Sequence, residues 1–486
     1  MTTEPPPAAT PGRHVLAGGV RVFAAESLLV PTGLLTAAYL ARRLGPDGYG
    51  LFMLAAALVA WVEWGLTAVL ARASVRFVAD AADWRPIGST IVSVHLALSL
   101  VAAAILWLVA DPVASMLGAP ELAPALRLFA LDIPLFCLAQ AHRNILIGIG
   151  RFGERALAGA ARWTARLLLI VLLVELGLSL QGAILGSIGA SLVEVAVCRY
   201  FVRPAVSPRA VLGLRLLWGY VAPLLLSALA LRLFDRLDLV ALTALGGTPE
   251  DAGRYGAAQN LSIVPNLVAL SFTPLLLAAL TRAFRDGHRA AARRLARDAL
   301  RGGLLLLPFA GLGAGAAPEL VLLIFGGAYA PATPLVAPLL FAAVALVAVA
   351  TGTAILIAAG RPGLTVALTA PLPLVAGAGY LAVVPRFGLP GAALVTLACA
   401  TMAAAAIVAA VRSVAGVCPP ASTAVRCVLL AAVAYAGARV WPGEGVTVTI
   451  VELTALAAIV VAALAGTGEF TRAELTAVRS WWRRGP

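Results

Sequence analysis

Runs of about twenty mostly apolar residues recur along this chain, and no other feature constrains its fold as tightly. Each run is long enough to cross the hydrocarbon core of a bilayer as a helix. The runs predict about fourteen spans, at roughly 16–40, 50–71, 87–110, 122–142, 156–178, 181–200, 216–245, 255–280, 302–324, 333–359, 362–384, 388–411, 423–441 and 446–466. No segment between them is polar enough to form a soluble domain. Composition agrees, since 61% of the 486 residues are hydrophobic and 12% are charged. A soluble globular chain carries about 25% charged residues. So little polar surface cannot cover the chain in water. In lipid the backbone must bond within itself, so the expected class is an all-α integral membrane protein.

The net charge of +13 invites a nucleic-acid reading, and the placement of the arginines removes it. Starting inside, the segments on the cytoplasmic side hold Arg13; Arg72, Arg76, Arg85; Arg143, Arg151, Arg155; Arg199, Arg203, Arg209, Arg215; seven from Arg282 to Arg301; Arg361; Arg412, Arg426; and Arg472, Arg479, Arg483, Arg484. The opposite side holds only Arg42, Arg43, Arg254, Arg386 and Arg439. Cytoplasmic loops of membrane proteins are enriched in basic residues, so both termini are expected inside. The stretch 282–298 reads as a basic helix on the cytoplasmic leaflet, either a topology anchor or a contact for lipid or a partner. The Pro-rich start, 1–14, lacks a signal-peptide pattern and is expected to be a disordered cytoplasmic tail.

Four joints repeat in order. LGPDGYG (44–50) resembles LGGTPEDAGRYG (245–256), and MLGAPELAPALRLFAL (116–131) echoes IFGGAYAPATPLVAPLL (324–340). ILIGIGR (145–151) matches ILIAAGR (355–361), and QGAILGSIGA (181–190) parallels PGAALVTLAC (390–399). Internal duplication is common in transporters. The expected organisation is two pseudo-symmetric six-helix bundles, 15–203 and 204–412. Helices 13 and 14 (413–466) and a basic cytoplasmic tail (467–486) follow. Such an architecture suits alternating access.

The segment ARRLGPDGYGLFMLAAALVAWVEWGL (41–66) resembles the first loop and second helix of polysaccharide-repeat-unit flippases, the Wzx-type branch of the multidrug/oligosaccharidyl-lipid/polysaccharide exporter superfamily. FDRLDLVALTALGGTPEDAGRYGAAQNL (234–261) is similar to that family's seventh helix and following turn, and LLIFGGAYAPATPLVAPLL (322–340) to its ninth-to-tenth junction. The likeness runs from about residue 14 to 411. It implies movement of a polyprenyl-diphosphate-linked oligosaccharide from the inner to the outer leaflet of a bacterial cytoplasmic membrane. It also implies membrane lipids as partners, with polysaccharide polymerase and assembly proteins as further candidates, and neither a cofactor nor nucleic acid. Within the superfamily the competing readings are a peptidoglycan-precursor lipid flippase and an ion-coupled drug antiporter. A membrane-bound transferase is disfavoured because the expected outer loops, 111–121 and 325–333, are short.

Ionisable residues inside spans are costly and mark function by default. Arg162 and Arg166 are four apart and share a helix face. With Arg21 and Arg232 they are candidates to bind the carrier diphosphate, whose oxygens match a planar guanidinium. Glu26, Glu63, Asp132, Asp235 and Asp238 are candidates for ion coupling or for pairing with those arginines. The alternative is that all these charges neutralise one another and hold the first bundle together. RLFDRLD (232–238) reads most simply as self-neutralising within one helix. His95 and His142 lack ligand-spaced partners, and the five cysteines form no metal spacing or disulfide framework. Tyr49 and Tyr255 read as turn formers.

Overall fold

A computed structural model describes residues 28–206, 214–440 and 445–469. Arg21, Glu26 and most of both expected tails lie outside the described residues. Those described are helical, with no strand among them. In order the helices are α1 (Leu29–Asp80), α2 (Trp84–Leu108), α3 (Ala110–Met116), α4 (Leu122–Phe129), α5 (Asp132–Gly148), α6 (Phe152–Leu173) and α7 (Ser179–Phe201). There follow α8 (Leu214–Ala244), α9 (Pro249–Leu261), α10 (Val264–Arg285), α11 (Arg289–Leu304), α12 (Leu307–Gly315), α13 (Ala317–Ile324), α14 (Thr333–Ala358), α15 (Pro362–Thr369), α16 (Leu372–Ala415), α17 (Ala421–Val440) and α18 (Val446–Gly466).

Eight uninterrupted helical stretches among the described residues are long and apolar enough to cross a membrane, and three of them run to 50 residues or more. At about 1.5 Å per residue, 50 residues reach about 75 Å, more than twice a hydrocarbon core of about 30 Å. Each long stretch is therefore two crossings, and each contains a residue that cannot continue a helix. The breaks are Gly45 (φ 70°), Gly177 (φ 89°) and Gly388 (φ 54°), in the left-handed region open to glycine. At Gly177 a single π-turn, Val174–Leu178, reverses the chain. There α6 and α7 pack as a hairpin, Gly182 against Leu173 and Gly186 against Ile170. The three remaining expected spans fall on α8, on α9 with α10, and on α11 to α13. α8 carries Arg232, Asp235, Arg236 and Asp238 within one stretch.

The structure corrects several details. The expected span 302–324 is not one straight helix: α13 bends by 67° from the helix before it. Pro308 and Pro318, in the first turns of α12 and α13, start new helices because proline has no N–H to continue the old one. The basic stretch 282–298 is likewise divided, between the end of α10 and the start of α11, by a turn at Gly287 (φ 75°). On α11 the arginines at 289, 293, 294 and 297 are exposed, while Ala292, Ala296, Ala299 and Leu300 are buried. The segment 111–121, expected as an outer loop, is helical over 111–116, as part of α3.

Two compact units emerge, one of residues up to 256 with 369–392, the other of 257–368 with 393 onward. In the first, α1 packs on α2, α5 and α8, and α5 also packs on α2 and α7. Two of the repeated joints meet there. A Cβ on Gly50 would overlap the Pro249 carbonyl, and one on Gly253 would overlap the Pro46 carbonyl. The contact is reciprocal, Pro46 and Gly50 of one joint meeting Gly253 and Pro249 of the other, as across a two-fold axis. Tyr49 and Tyr255, expected to form turns, are instead fully buried within α1 and α9. In the second unit α12 lies on α17 and α10 on α14.

Candidate functional site

Four buried charged residues of the first unit, Glu63, Asp132, Arg162 and Glu194, stand on α1, α5, α6 and α7. Glu194 is fully buried near the end of α7, which is otherwise mostly apolar. Its two oxygens are held by two arginines: Arg143 Nη1 lies 2.9 Å from Oε1 and Arg162 Nη1 lies 3.1 Å from Oε2. Arg143 also donates to Gln140 Oε1, and the Arg162 guanidinium stacks 4.6 Å from the Phe136 ring. Removing one partner from such a buried set leaves an uncompensated charge and is strongly destabilising. Sequence reasoning assigns Arg143 to a cytoplasmic loop and gives Glu194 no role. The structure corrects both, because Arg143 belongs to α5 and folds back to Glu194. The available signal was the polar run Gln140–Asn144 on a helix that reaches beyond the expected span end.

One turn further along α6, Arg166 differs. It is half-buried, its Nε is enclosed without a hydrogen-bond partner, and among the described residues it makes no ion pair. Glu63 of α1 and Asp132 of α5, both buried, stand within electrostatic reach of Arg162 and Arg166. One oxygen of each carboxylate, Glu63 Oε1 and Asp132 Oδ1, has no hydrogen-bond partner. Arg162, Arg166, Glu63 and Asp132, picked out separately from the sequence, thus form one cluster. Within it Arg162 is committed and Arg166 is not. Arg166 stands 14 residues from the start of α6, about 21 Å along the helix.

Arg232 belongs to a second group on α8. Its guanidinium carbon lies 3.8 Å from the centre of the Trp64 ring, and its backbone carbonyl accepts from Trp61 Nε1 at 3.2 Å. Asp235 is its ion partner at 3.7 Å. Asp238 also bonds beyond this helix. It is buried, accepting from the Leu239 amide at 2.8 Å and from the Tyr255 hydroxyl at 2.8 Å. Tyr255 thereby ties α9 to α8, a role its position in a glycine-rich joint conceals.

The remaining polar groups are local. His95 and His142 are buried, each with Nδ1 bonded to the carbonyl four residues earlier. Arg127 pairs with Asp111 and lies 5.2 Å over Trp107, and Arg43 pairs with Glu175. Among the described residues no cluster of three or more His, Cys, Asp or Glu could hold a metal ion.

The fold is shared with solved transporters. The lipid II flippase MurJ, in an inward closed conformation, superposes with a TM-score of 0.72 at 11% identity, covering 91% of this chain and 98% of that one. A Vibrio cholerae MATE transporter gives 0.60 at 16% identity, covering 82% of this chain and 97% of the other. In sequence, the succinoglycan biosynthesis transport protein ExoT of Rhizobium meliloti (strain 1021) is 29% identical over 259 residues, half of each chain. A putative O-antigen transporter of Shigella flexneri is 28% identical over 173 residues, 34% of this chain and 41% of that protein. The matched regions thus span half or less of these relatives. The chain is an all-helical, multi-pass membrane protein with the fold of flippases and MATE transporters. The model of the family described as "polysaccharide biosynthesis protein" matches residues 39–334, more than half of the sequence, and the chain belongs to that family.

Proposed function

We propose that this protein is a flippase moving polyprenyl-diphosphate-linked oligosaccharide repeat units from the inner to the outer leaflet, by alternating access, for export of a cell-surface polysaccharide. The observation that carries the proposal is Arg166, an ionisable group deep within a span that makes no ion pair among the described residues and stands within electrostatic reach of the carboxylates of Glu63 and Asp132. A cation in that state is expensive unless it faces water or meets an anion. A diphosphate presents the oxygen geometry that a guanidinium binds best. Arg166 makes the headgroup contact, while Arg162, held by Glu194, fixes the helix face on which Arg166 stands. Glu63 and Asp132 balance the charge when the site is empty and are the candidates for ion coupling. Membership of the polysaccharide biosynthesis family and the transporter names of its relatives support this reading. The proposed membrane is the bacterial cytoplasmic membrane, with both termini inside, an orientation that the arginine distribution supports. Polymerase and assembly proteins are the natural neighbours for the product.

Deleting the gene and analysing lipids by leaflet tests the proposal. An intact diphosphate-linked oligosaccharide is expected to accumulate in the inner leaflet. Unfinished sugars there would identify a transferase instead. The MurJ-like fold favours a second reading, a peptidoglycan-precursor flippase, for which the accumulating lipid would be the cell-wall precursor and growth would stop. In proteoliposomes, Arg166→Ala is expected to abolish flipping without loss of folded protein, and normal flipping by that variant would remove Arg166 from the site.

A further inference from the structure

The segment WVEW (61–64) places chemically different side chains on one turn of α1. Glu63 turns to the ionic cluster and is buried, whereas Trp64 remains 38% exposed. The Arg232 guanidinium lies 3.8 Å from the centre of the Trp64 ring, and the side chains of Arg232 and Asp235 are 37% and 42% exposed. Trp61 locks this arrangement through its bond to the Arg232 carbonyl. Trp64 lies 19 residues past the break at Gly45 and 16 before the end of α1 at Asp80. Within the expected span 50–71 it stands about 10 Å from the nearer end at about 1.5 Å per residue, inside the hydrocarbon core. Charges exposed at such depth face a water-filled space, because acyl chains would not solvate them.

Resting on the flippase reading, we propose that Trp64, Arg232 and Asp235 form a saccharide subsite that takes a pyranose ring of the cargo, separate from the phosphate contact at Arg166. The components select for that class. An indole offers a flat apolar surface of the size of a pyranose C–H face, and the pyranose displaces the Arg232 guanidinium that covers that surface in the empty site. Asp235 accepts from hydroxyl pairs, and Arg232 donates to ring and hydroxyl oxygens. Organic cations are repelled by Arg232, and a phosphate group is repelled by Asp235. A lipid tail gains nothing from either charge. A neutral, many-hydroxyl ring with one apolar face uses all three groups.

The test measures binding of two probes to the purified full-length protein: undecaprenyl diphosphate alone, and the same lipid carrying a disaccharide. Wild type is expected to bind the saccharide lipid more tightly. Trp64→Ala should cut that advantage by about fivefold to tenfold while leaving affinity for the bare lipid unchanged. Trp64→Phe should keep most of the advantage, and Asp235→Asn should lose part of it. Trp64→Ala with the full advantage, or wild type with none, overturns the subsite. Should Trp64→Ala fail to fold, the Phe and Asn variants decide by the same ratio. The flippase reading fails separately, through wild type that binds neither probe.

Discussion

The unit containing residues up to 256 buries Glu63, Asp132, Arg162, Glu194 and Asp238, whereas among the described residues of the other unit the one buried charge is Glu469, just past the end of α18. Glu469 meets Arg426 at 2.9 Å and Thr423 at 2.8 Å. The second interior is built from small and aliphatic contacts instead. Gly311 and Gly315 of α12 lie against the backbone of α17 at Ala431 and Tyr435, and Leu312, Ala434 and Leu464 close the core around them. Both constructions are stable in a membrane. Close backbone approach gives dispersion contacts, and buried ion pairs satisfy one another at a high desolvation cost. The four matched joints propose a common origin for the two halves, and joints of that kind need no internal charge. What the difference teaches is that helices of this fold can pack without buried ions, so the charges in the first unit are not a requirement of helix packing.

That comparison can be broken. Glu194→Leu strands Arg143 and Arg162, and is expected to cost about 3–5 kcal/mol, seen as a large drop in melting temperature in detergent, with Glu194→Gln intermediate. An unchanged melting point would mean that water already solvates the two arginines. In the second unit, Gly311→Val should cost about 1–3 kcal/mol by overpacking, and should expose the linker 416–420 to protease as α17 loosens from α12. A silent substitution would show that the glycine contact is not what holds that helix pair. Gly302→Ala sharpens the contrast from the other side. Gly302 has open space around its Cβ direction, so the change should stabilise α11 by about 0.5–1 kcal/mol, as a small rise in melting temperature.

The smallest effect concerns an ion pair outside the spans. Arg151 pairs with Glu154 at 2.8 Å in the first turn of α6. Burial raises the Glu154 pKa, but hydrogen bonds from its own backbone amide and from Arg151, with the Arg151 charge, outweigh it and hold the carboxyl below its ordinary value. A folded pKa below the unfolded one gives a stabilisation that is complete above the ordinary carboxylate pKa. It is lost as pH falls through the folded value. Glu154→Gln should flatten the acid limb of the melting curve in that window, and an identical limb would show that the pair contributes nothing.

Much of the fold was legible from hydropathy, since a helix that crosses lipid must bond its own backbone and be about twenty apolar residues long. Helix pairs such as 156–178 and 181–200 against α6 and α7 therefore agree within a few residues. Glycines at 45, 177 and 388 mark the breaks for equally local reasons. The site was legible only as a list. Glu63, Asp132, Arg162 and Arg166 stand out one by one because charge is rare in a span, while their partners are set by how helices rotate and pack. Arg162 and Glu194 are 32 residues apart, and no local pattern links them. Arg143 reads as a loop residue until α5 is seen to continue past it. Tyr255 reads as part of a turn until its hydroxyl reaches Asp238. The sequence by itself determined that this chain lives in a membrane, roughly how often it crosses and which residues are too costly to be idle. Only the tertiary structure decided that Arg162 pairs with Glu194 while Arg166 makes no ion pair among the described residues, because charge pairing depends on distances between helices that hydropathy does not encode.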